Sequence, residues 1–232
     1  MEEITITQNG YRISYMSYLY NRVNERFSFL PALCAFEKHG DYGEISFRAE
    51  RAYCPYVRKF AENTMADVIA VGYKYAYFEK RLHLPLLTAE KRHLLITALV
   101  SADYKEDKAY TLGKIASGKD YCLDGVFHFK LKDLQKRWDG IVEYVPVDMG
   151  EASLDGFLGF LVEDGAGKLF VKDGRVYDEN YRALNKSALT GKTSTITEIV
   201  LGGAERVYCF GETDRETKSF LKKHYGEKAI FC

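Results

Sequence analysis

The sequence predicts an α+β fold. The middle of the chain is helical, flanked by strand-bearing N- and C-terminal segments that could share one mixed sheet. A β-α-β unit closes the C-terminus. Three observations carry this expectation. Apolar residues recur at three- and four-residue steps from Val57 to Leu161. Alternating or short apolar runs sit only near the two ends. A helical pattern also lies between two short apolar runs at the C-terminus.

Taken in order, Glu3 to Thr7 alternates apolar and polar and reads as a strand, ended by Gln8-Asn9-Gly10. Ile13, Met16, Leu19, Val23 and Phe27 fall on one face of a helix. Leu33 to Glu37 and Glu44 to Arg48 read as two strands turning through His39-Gly40-Asp41-Tyr42-Gly43. The opening is therefore β-α-β-β. Pro55 suits a first helical turn, and a stripe from Val57 through Phe78 to Leu82 follows, stopped by Pro85. Thr88 is placed to cap the next helix, with Glu90 in its first turn and Leu94, Leu95, Ala98 and Leu99 inward. A charged break from Asp103 to Lys108 leads to a short helix ending near Gly118.

Asp124 is read as the cap of a long helix carrying Phe127, Leu131, Leu134, Trp138, Ile141, Val142 and Val145, closed by Pro146. Ser153 opens a shorter one through Phe157, Leu158, Phe160 and Leu161. Beyond Gly165-Ala166-Gly167 the pattern changes. Lys168 to Lys172 and Arg175 to Asp178 flank Asp173-Gly174, a two-residue hairpin signal, because both positions tolerate positive φ. A helix over 194–201 ends at Gly202-Gly203. Val207 to Phe210, a helix over 213–225, and Lys228 to Cys232 then suggest parallel strands joined by a crossover. One domain spanning 1–232 is expected, with 1–164 and 165–232 as the alternative division.

Composition narrows the function classes. The 232 residues carry 33 Lys and Arg against 33 Asp and Glu, which argues against a strongly electrostatic nucleic-acid or membrane-surface protein. The N-terminus lacks the basic and apolar regions of a signal peptide, and no apolar run reaches the roughly 20 residues that span a bilayer. A cytoplasmic protein with no membrane association is expected. Cys34, Cys54, Cys122, Cys209 and Cys232 are widely spaced and odd in number, so they read as reduced thiols. The 18 tyrosines are the compositional oddity. They read mainly as core rings with bonded hydroxyls, since no basic residue recurs among them at regular spacing along the chain.

Chemical motifs are sparse. Gly191-Lys192-Thr193 resembles the end of a phosphate-binding loop, but Lys186 occupies the position of its first glycine, so a loop or helix cap is favoured. The five histidines never sit at metal-ligand spacing, and no cofactor or metal is expected. Cys209, just before Gly211 and a helix start, is the thiol best placed for a lowered pKa; its alternative is a small apolar residue in a buried strand.

The segment Leu123-Asp124-Gly125-Val126-Phe127-His128-Phe129-Lys130-Leu131-Lys132-Asp133-Leu134 resembles the signature of the YtxC-like proteins, a sporulation-associated family of endospore-forming bacteria. Val126 stands where that family has its first Phe, and Lys130 where it has Arg. The Gly156–Leu161 stretch, the Asp173-Gly174 hairpin and the terminal helix-strand-helix-strand follow in the same order. The resemblance implies a sporulation-associated protein without an assigned activity or catalytic residue. The expected function is accordingly non-enzymatic, through contacts with a protein partner of unknown identity, with homodimerisation left open. Lys130, on a helix between aromatic positions, is the candidate for clamping an anion or pairing with an acid. Two alternatives remain: a small-ligand or nucleotide-handling enzyme with its site near Cys209 and Gly211, and a single-stranded nucleic-acid binder using exposed tyrosines.

Overall fold

The computed structural model describes residues 2–9, 12–30, 33–115 and 120–232. In chain order the first elements are strand β1 (Glu2–Asn9), helix α1 (Ile13–Phe27), β2 (Leu33–His39), β3 (Tyr42–Ala49) and α2 (Cys54–Asp67). A π-helical segment, Val68–Tyr73, leads into α3 (Lys74–Arg81), followed by α4 (Ala89–Ala102) and α5 (Tyr104–Lys114). Next come β4 (Asp120–Cys122), the single turn α6 (Leu123–Gly125), a second π segment (Val126–Lys130), α7 (Lys132–Tyr144) and α8 (Glu151–Asp164). The chain closes with β5 (Lys168–Lys172), β6 (Arg175–Tyr177), α9 (Thr195–Gly202), β7 (Arg206–Phe210), α10 (Arg215–His224) and β8 (Ala229–Phe231). The α+β class follows. Among the described residues the terminal strands form two separate four-stranded sheets rather than one.

The chain divides into two compact units, each assembled from two stretches: residues 1–74 with 105–140, and residues 75–104 with 141–232. The division lies elsewhere than the sequence alternative at 164 and 165. No glycine- or proline-rich linker marks its three crossing points, so composition offers no sign of it.

In the first unit the sheet order is β2-β3-β1-β4, with β1 antiparallel to β3 and parallel to β4. Alternation buries Ile4 and Ile6 beside Phe47, Ile45 and Tyr121. Met16, Leu19 and Val23 of α1 and Val57, Ala61 and Met65 of α2 are buried in the same unit. Strand β4 has no counterpart in the sequence reading, because three residues with one buried position carry almost no period. The first π segment is buried on every side. There Gly72 lets the Tyr15 ring come so near that an added Cβ would lie 2.9 Å from it, and Tyr15 donates to the Gly72 carbonyl at 2.8 Å. Helix α5 begins at Tyr104, so the charged stretch expected as a break is helical. Its Asp107 is buried, whereas Gly118, where the short helix was expected to end, lies outside the described residues.

In the second unit the order is β6-β5-β7-β8, with β5, β7 and β8 parallel and β6 antiparallel. Helix α10 joins parallel β7 and β8, which is the expected β-α-β unit. The hairpin turns on Asp173 (φ 51°) and Gly174 (φ 73°). Leu169, Val171, Val176, Val207 and Cys209 point to one buried face, where Gly202 of α9 approaches Leu169. Thr88 caps α4 by accepting from Lys91 N–H, and Ser194 caps α9 by accepting from Thr197 N–H. Helix α4 is buried at Leu95, Ile96, Thr97, Ala98 and Val100, while Leu94 and Leu99 of the predicted face are only half-buried, so the covered side is wider and rotated from the one expected. Helix α8 starts at Glu151 behind Gly150 rather than at Ser153.

Candidate functional site

The segment from Leu123 to Leu134 is anchored by buried polar contacts that fix its conformation. Asp124 does not cap a helix. The Cys122 sulfur takes that place, accepting from Gly125 N–H at 3.3 Å, while the Asp124 carboxylate turns inward. One carboxylate oxygen accepts from the Tyr73 hydroxyl at 2.8 Å, and the other from Asn9 N–H at 2.9 Å. The Gln8 side-chain amide donates to the same hydroxyl at 2.9 Å. The carboxylate thus ties the end of β1 to the end of the first π segment. Burial, and then the charge of Asp124, raises the Tyr73 phenol above its ordinary range. The Arg12 guanidinium lies 3.9 Å from the Tyr73 ring centroid.

Apolar packing continues from this point. The Tyr73 ring meets Phe127 at 4.7 Å, and Phe127 stacks on Trp138 at 5.8 Å. Trp138 Nε1 donates to Asp107 at 2.9 Å, and the same carboxylate oxygen lies 2.7 Å from Lys74 Nζ. The Gln135 side chain donates to the Phe127 carbonyl at 2.8 Å and holds the second π segment from below. A π turn widens the backbone spiral by one residue. Val126 and Phe127 therefore face the core, while His128, Phe129 and Lys130 project into solvent. Phe129 is 78% exposed. Lys130 forms no ion pair among the described residues, so the acid partner considered for it is not found there.

The other two candidates belong to the second unit, so they do not join Lys130 within one unit. Cys209 is buried in β7, and desolvation raises its thiol pKa, with the Thr213 hydrogen bond opposing and Cys232 reinforcing the shift. The expected lowered pKa is thus corrected. Facing the helix-covered side of the sheet matters more than proximity to a helix start. Gly211 has φ 74° just past β7, with nothing within 4 Å of a Cβ built on it, so it serves the turn. Gly191 likewise takes φ 72° at the end of a 3₁₀ turn, Lys186–Thr190, and Ser194 then caps α9. Gly191-Lys192-Thr193 is a cap loop without a parallel strand leading in. The buried Glu198 carboxylate holds the turn by accepting from Lys186 and Ser187 N–H.

Two arrangements escape a reading along the chain. His93 is linked through Nδ1 to the Tyr75 hydroxyl at 2.7 Å and through Nε2 to Thr197 Oγ1 at 2.9 Å, which in turn meets Ser194 Oγ at 2.8 Å. Burial, helped by the charge of Lys192, lowers the His93 pKa to about 4. The neutral ring is a hydrogen-bonded spacer at neutral pH.

The second arrangement is the solvent side of the C-terminal sheet. Strand register places Phe170 beside Tyr208 and Tyr177, and Tyr208 beside Ile230. Lys168 pairs with Arg206 on one side of this row, and Lys172 with Arg175 and Phe210 on the other. The signal present in sequence is alternation: Lys168, Phe170, Lys172 and Arg206, Tyr208, Phe210 share one face. Only pairing sets the two triplets side by side. Among the described residues no group of three or more His, Cys, Asp or Glu is arranged to hold a metal ion. No protein-family model, curated protein or solved structure matches the chain.

Proposed function

We propose that this protein works by binding, as a cytoplasmic, sporulation-associated interaction protein of the YtxC-like type, and that it docks a protein partner through the turn His128-Phe129-Lys130. The observation that carries this reading is Phe129. A Phe ring 78% exposed is held on a π turn whose base is fixed by Asp124, Gln135 and the buried Phe127. A rigid apolar knob flanked by His and Lys loses little entropy on insertion into a partner's pocket, which is how interface anchors act. Among the described residues no helix is long and apolar enough to cross a membrane.

The test places a photocrosslinking amino acid at 129, with a second version at an exposed site of α10 as the control. A stoichiometric protein crosslinked from 129 alone, and lost as a complex with Phe129→Ser or Lys130→Glu variants of unchanged circular dichroism, supports the proposal. A complex that both substitutions leave intact, or saturable turnover of a small molecule by the purified chain, overturns it.

A further inference from the structure

We infer that the open face of the C-terminal sheet binds single-stranded nucleic acid, by stacking bases on its aromatic row and pairing phosphates with the lysines and arginines on either side. The row is continuous. Phe170 lies 5.7 Å from Tyr208 and 6.0 Å from Phe210, centroid to centroid, and Tyr181 stacks over Phe170 at 4.6 Å with an interplanar angle of 10°. Tyr181 is 70% exposed, Phe210 38% and Ile230 37%. Phe170 at the centre is only 6% exposed, so the rings open to water are those of Tyr181 and Phe210, an exposed aromatic surface of the kind that marks a binding face.

Charge chooses the occupant. Lys168 and Arg206 flank the row at one end and Lys172 and Arg175 at the other, all four exposed. A step of two residues along a strand, roughly 7 Å, separates each basic pair from Phe170 and Tyr208, near the span from a stacked base to its neighbouring phosphates, and Phe210 lies directly beside Lys172. Lys168 Nζ also sits 5.6 Å from the Phe170 ring. Glu205 lies 3.9 Å from Arg206, while Asp173 in the hairpin turn and Glu179, whose carboxylate stands near Gly167, lie in the loops around the face. On the sheet face itself the charged strand positions are all basic, and the acids are confined to the turns and loops at its ends. A polyanion with flat rings matches both the charge and the shape, and stacking tolerates any base.

A second observation is independent of charge. Tyr181 takes φ 56°, a left-handed conformation that a bulky side chain rarely adopts. It is held there because Asp178 Oδ1 accepts from both Asn180 and Arg182 N–H, and Tyr181 N–H donates to the Asp178 carbonyl. The loop thereby keeps an aromatic ring parallel to the platform in spite of local strain, a pattern found where backbone strain serves a ligand.

The experiment is fluorescence anisotropy of the full chain with labelled oligothymidylate and oligouridylate of about 15 nucleotides, within the range of known single-strand site sizes, and with a duplex of equal length. Binding that weakens with salt, with a log–log slope of about −2 to −3 for three to four phosphates neutralised, is expected for the single strands and not for the duplex. Preference between the DNA and RNA arms identifies the source. Tyr181→Ala should weaken binding about fivefold or more, and Lys172→Glu should weaken it and flatten the salt slope, with thermal stability recorded for each. Three outcomes overturn the inference. One is the absence of binding at about 50 mM salt. Another is duplex affinity equal to that of the single strands. The third is a self-association, seen by light scattering, that Phe210→Glu abolishes while oligonucleotides leave it untouched.

Discussion

Lys74 Nζ lies 2.7 Å from Asp107 Oδ2, with 0% and 3% of the two side chains exposed. Asp107 also accepts from Trp138 Nε1, and its other oxygen is 3.5 Å from the more exposed Arg137. A carboxylate with these partners is compensated, whereas either charge alone in this place would not be.

Removing one member should therefore cost far more than the pair contributes. Asp107→Ala or Lys74→Met is expected to destabilise the fold by about 3–5 kcal/mol. The double variant Lys74→Met with Asp107→Leu should recover part of that loss, less the cost of the unpaired Trp138 N–H. Urea midpoints of the three variants decide it; a cost below about 1 kcal/mol for the single changes, the ceiling for surface pairs, would show the pair to be water-exposed.

Asp124 should behave as a structural anchor. Asp124→Ala leaves the Tyr73 hydroxyl and Asn9 N–H without their acceptor, at a cost of about 3 kcal/mol. Asp124→Asn, which keeps one carbonyl acceptor, should lose about half as much. Equal losses in chemical denaturation would refute the role given to the second oxygen.

Gly72 predicts an overpacking effect. Gly72→Ala should cost about 1–3 kcal/mol by pressing a methyl on the Tyr15 ring. In a Tyr15→Ala background the same change should be nearly neutral, a coupling that a double-mutant cycle measures. Additive losses would place the cost in the π backbone instead.

His93 predicts a pH dependence. Its folded pKa of about 4 lies below the ordinary 6.5, so the unfolded chain binds the proton more readily. The stability due to the neutral ring is complete above pH 6.5 and is lost as pH falls toward 4. His224, also lowered by burial, adds to the same slope. His93→Gln should reduce the slope without removing it. An imidazole resonance titrating near 6.5 in the folded protein would contradict a half-buried, neutral ring between Tyr75 and Thr197.

The thiols should divide by burial. Cys122 and Cys232 are exposed, whereas Cys54 and Cys209 are buried and desolvation pushes the Cys34 thiol up to about 12. A thiol reagent under native conditions should label Cys122 and Cys232 promptly and the remaining three only on unfolding. Prompt labelling of Cys209 would reopen a reactive site at the end of β7.

Much of the local structure was legible because it depends on neighbours in sequence. The Asp173-Gly174 hairpin, the Thr88 and Ser194 caps, the α1 stripe and the β-α-β tail each follow from periodicity or turn chemistry within a few residues. The tyrosines conform to the same reading where Tyr73, Tyr75 and Tyr121 bury their rings and bond their hydroxyls. Asp124 reads as a cap because capping and burial use the same residue type, and only the position of Tyr73 and Asn9, 51 and 115 residues away, distinguishes them. The π segments were invisible because one extra residue in a turn leaves an apolar run unchanged.

The sequence by itself determined the α+β class, the order of most elements and their caps, since these depend on backbone propensity and on the period of apolar residues. The tertiary structure decided that the terminal strands make two sheets, that Cys209 faces inward, and that Phe170 and Tyr208 lie side by side between two basic pairs, with Phe210 diagonal to Phe170. Strand register and burial arise from contacts between segments far apart in the chain. Their energies depend on which surfaces meet, and no local pattern encodes that choice.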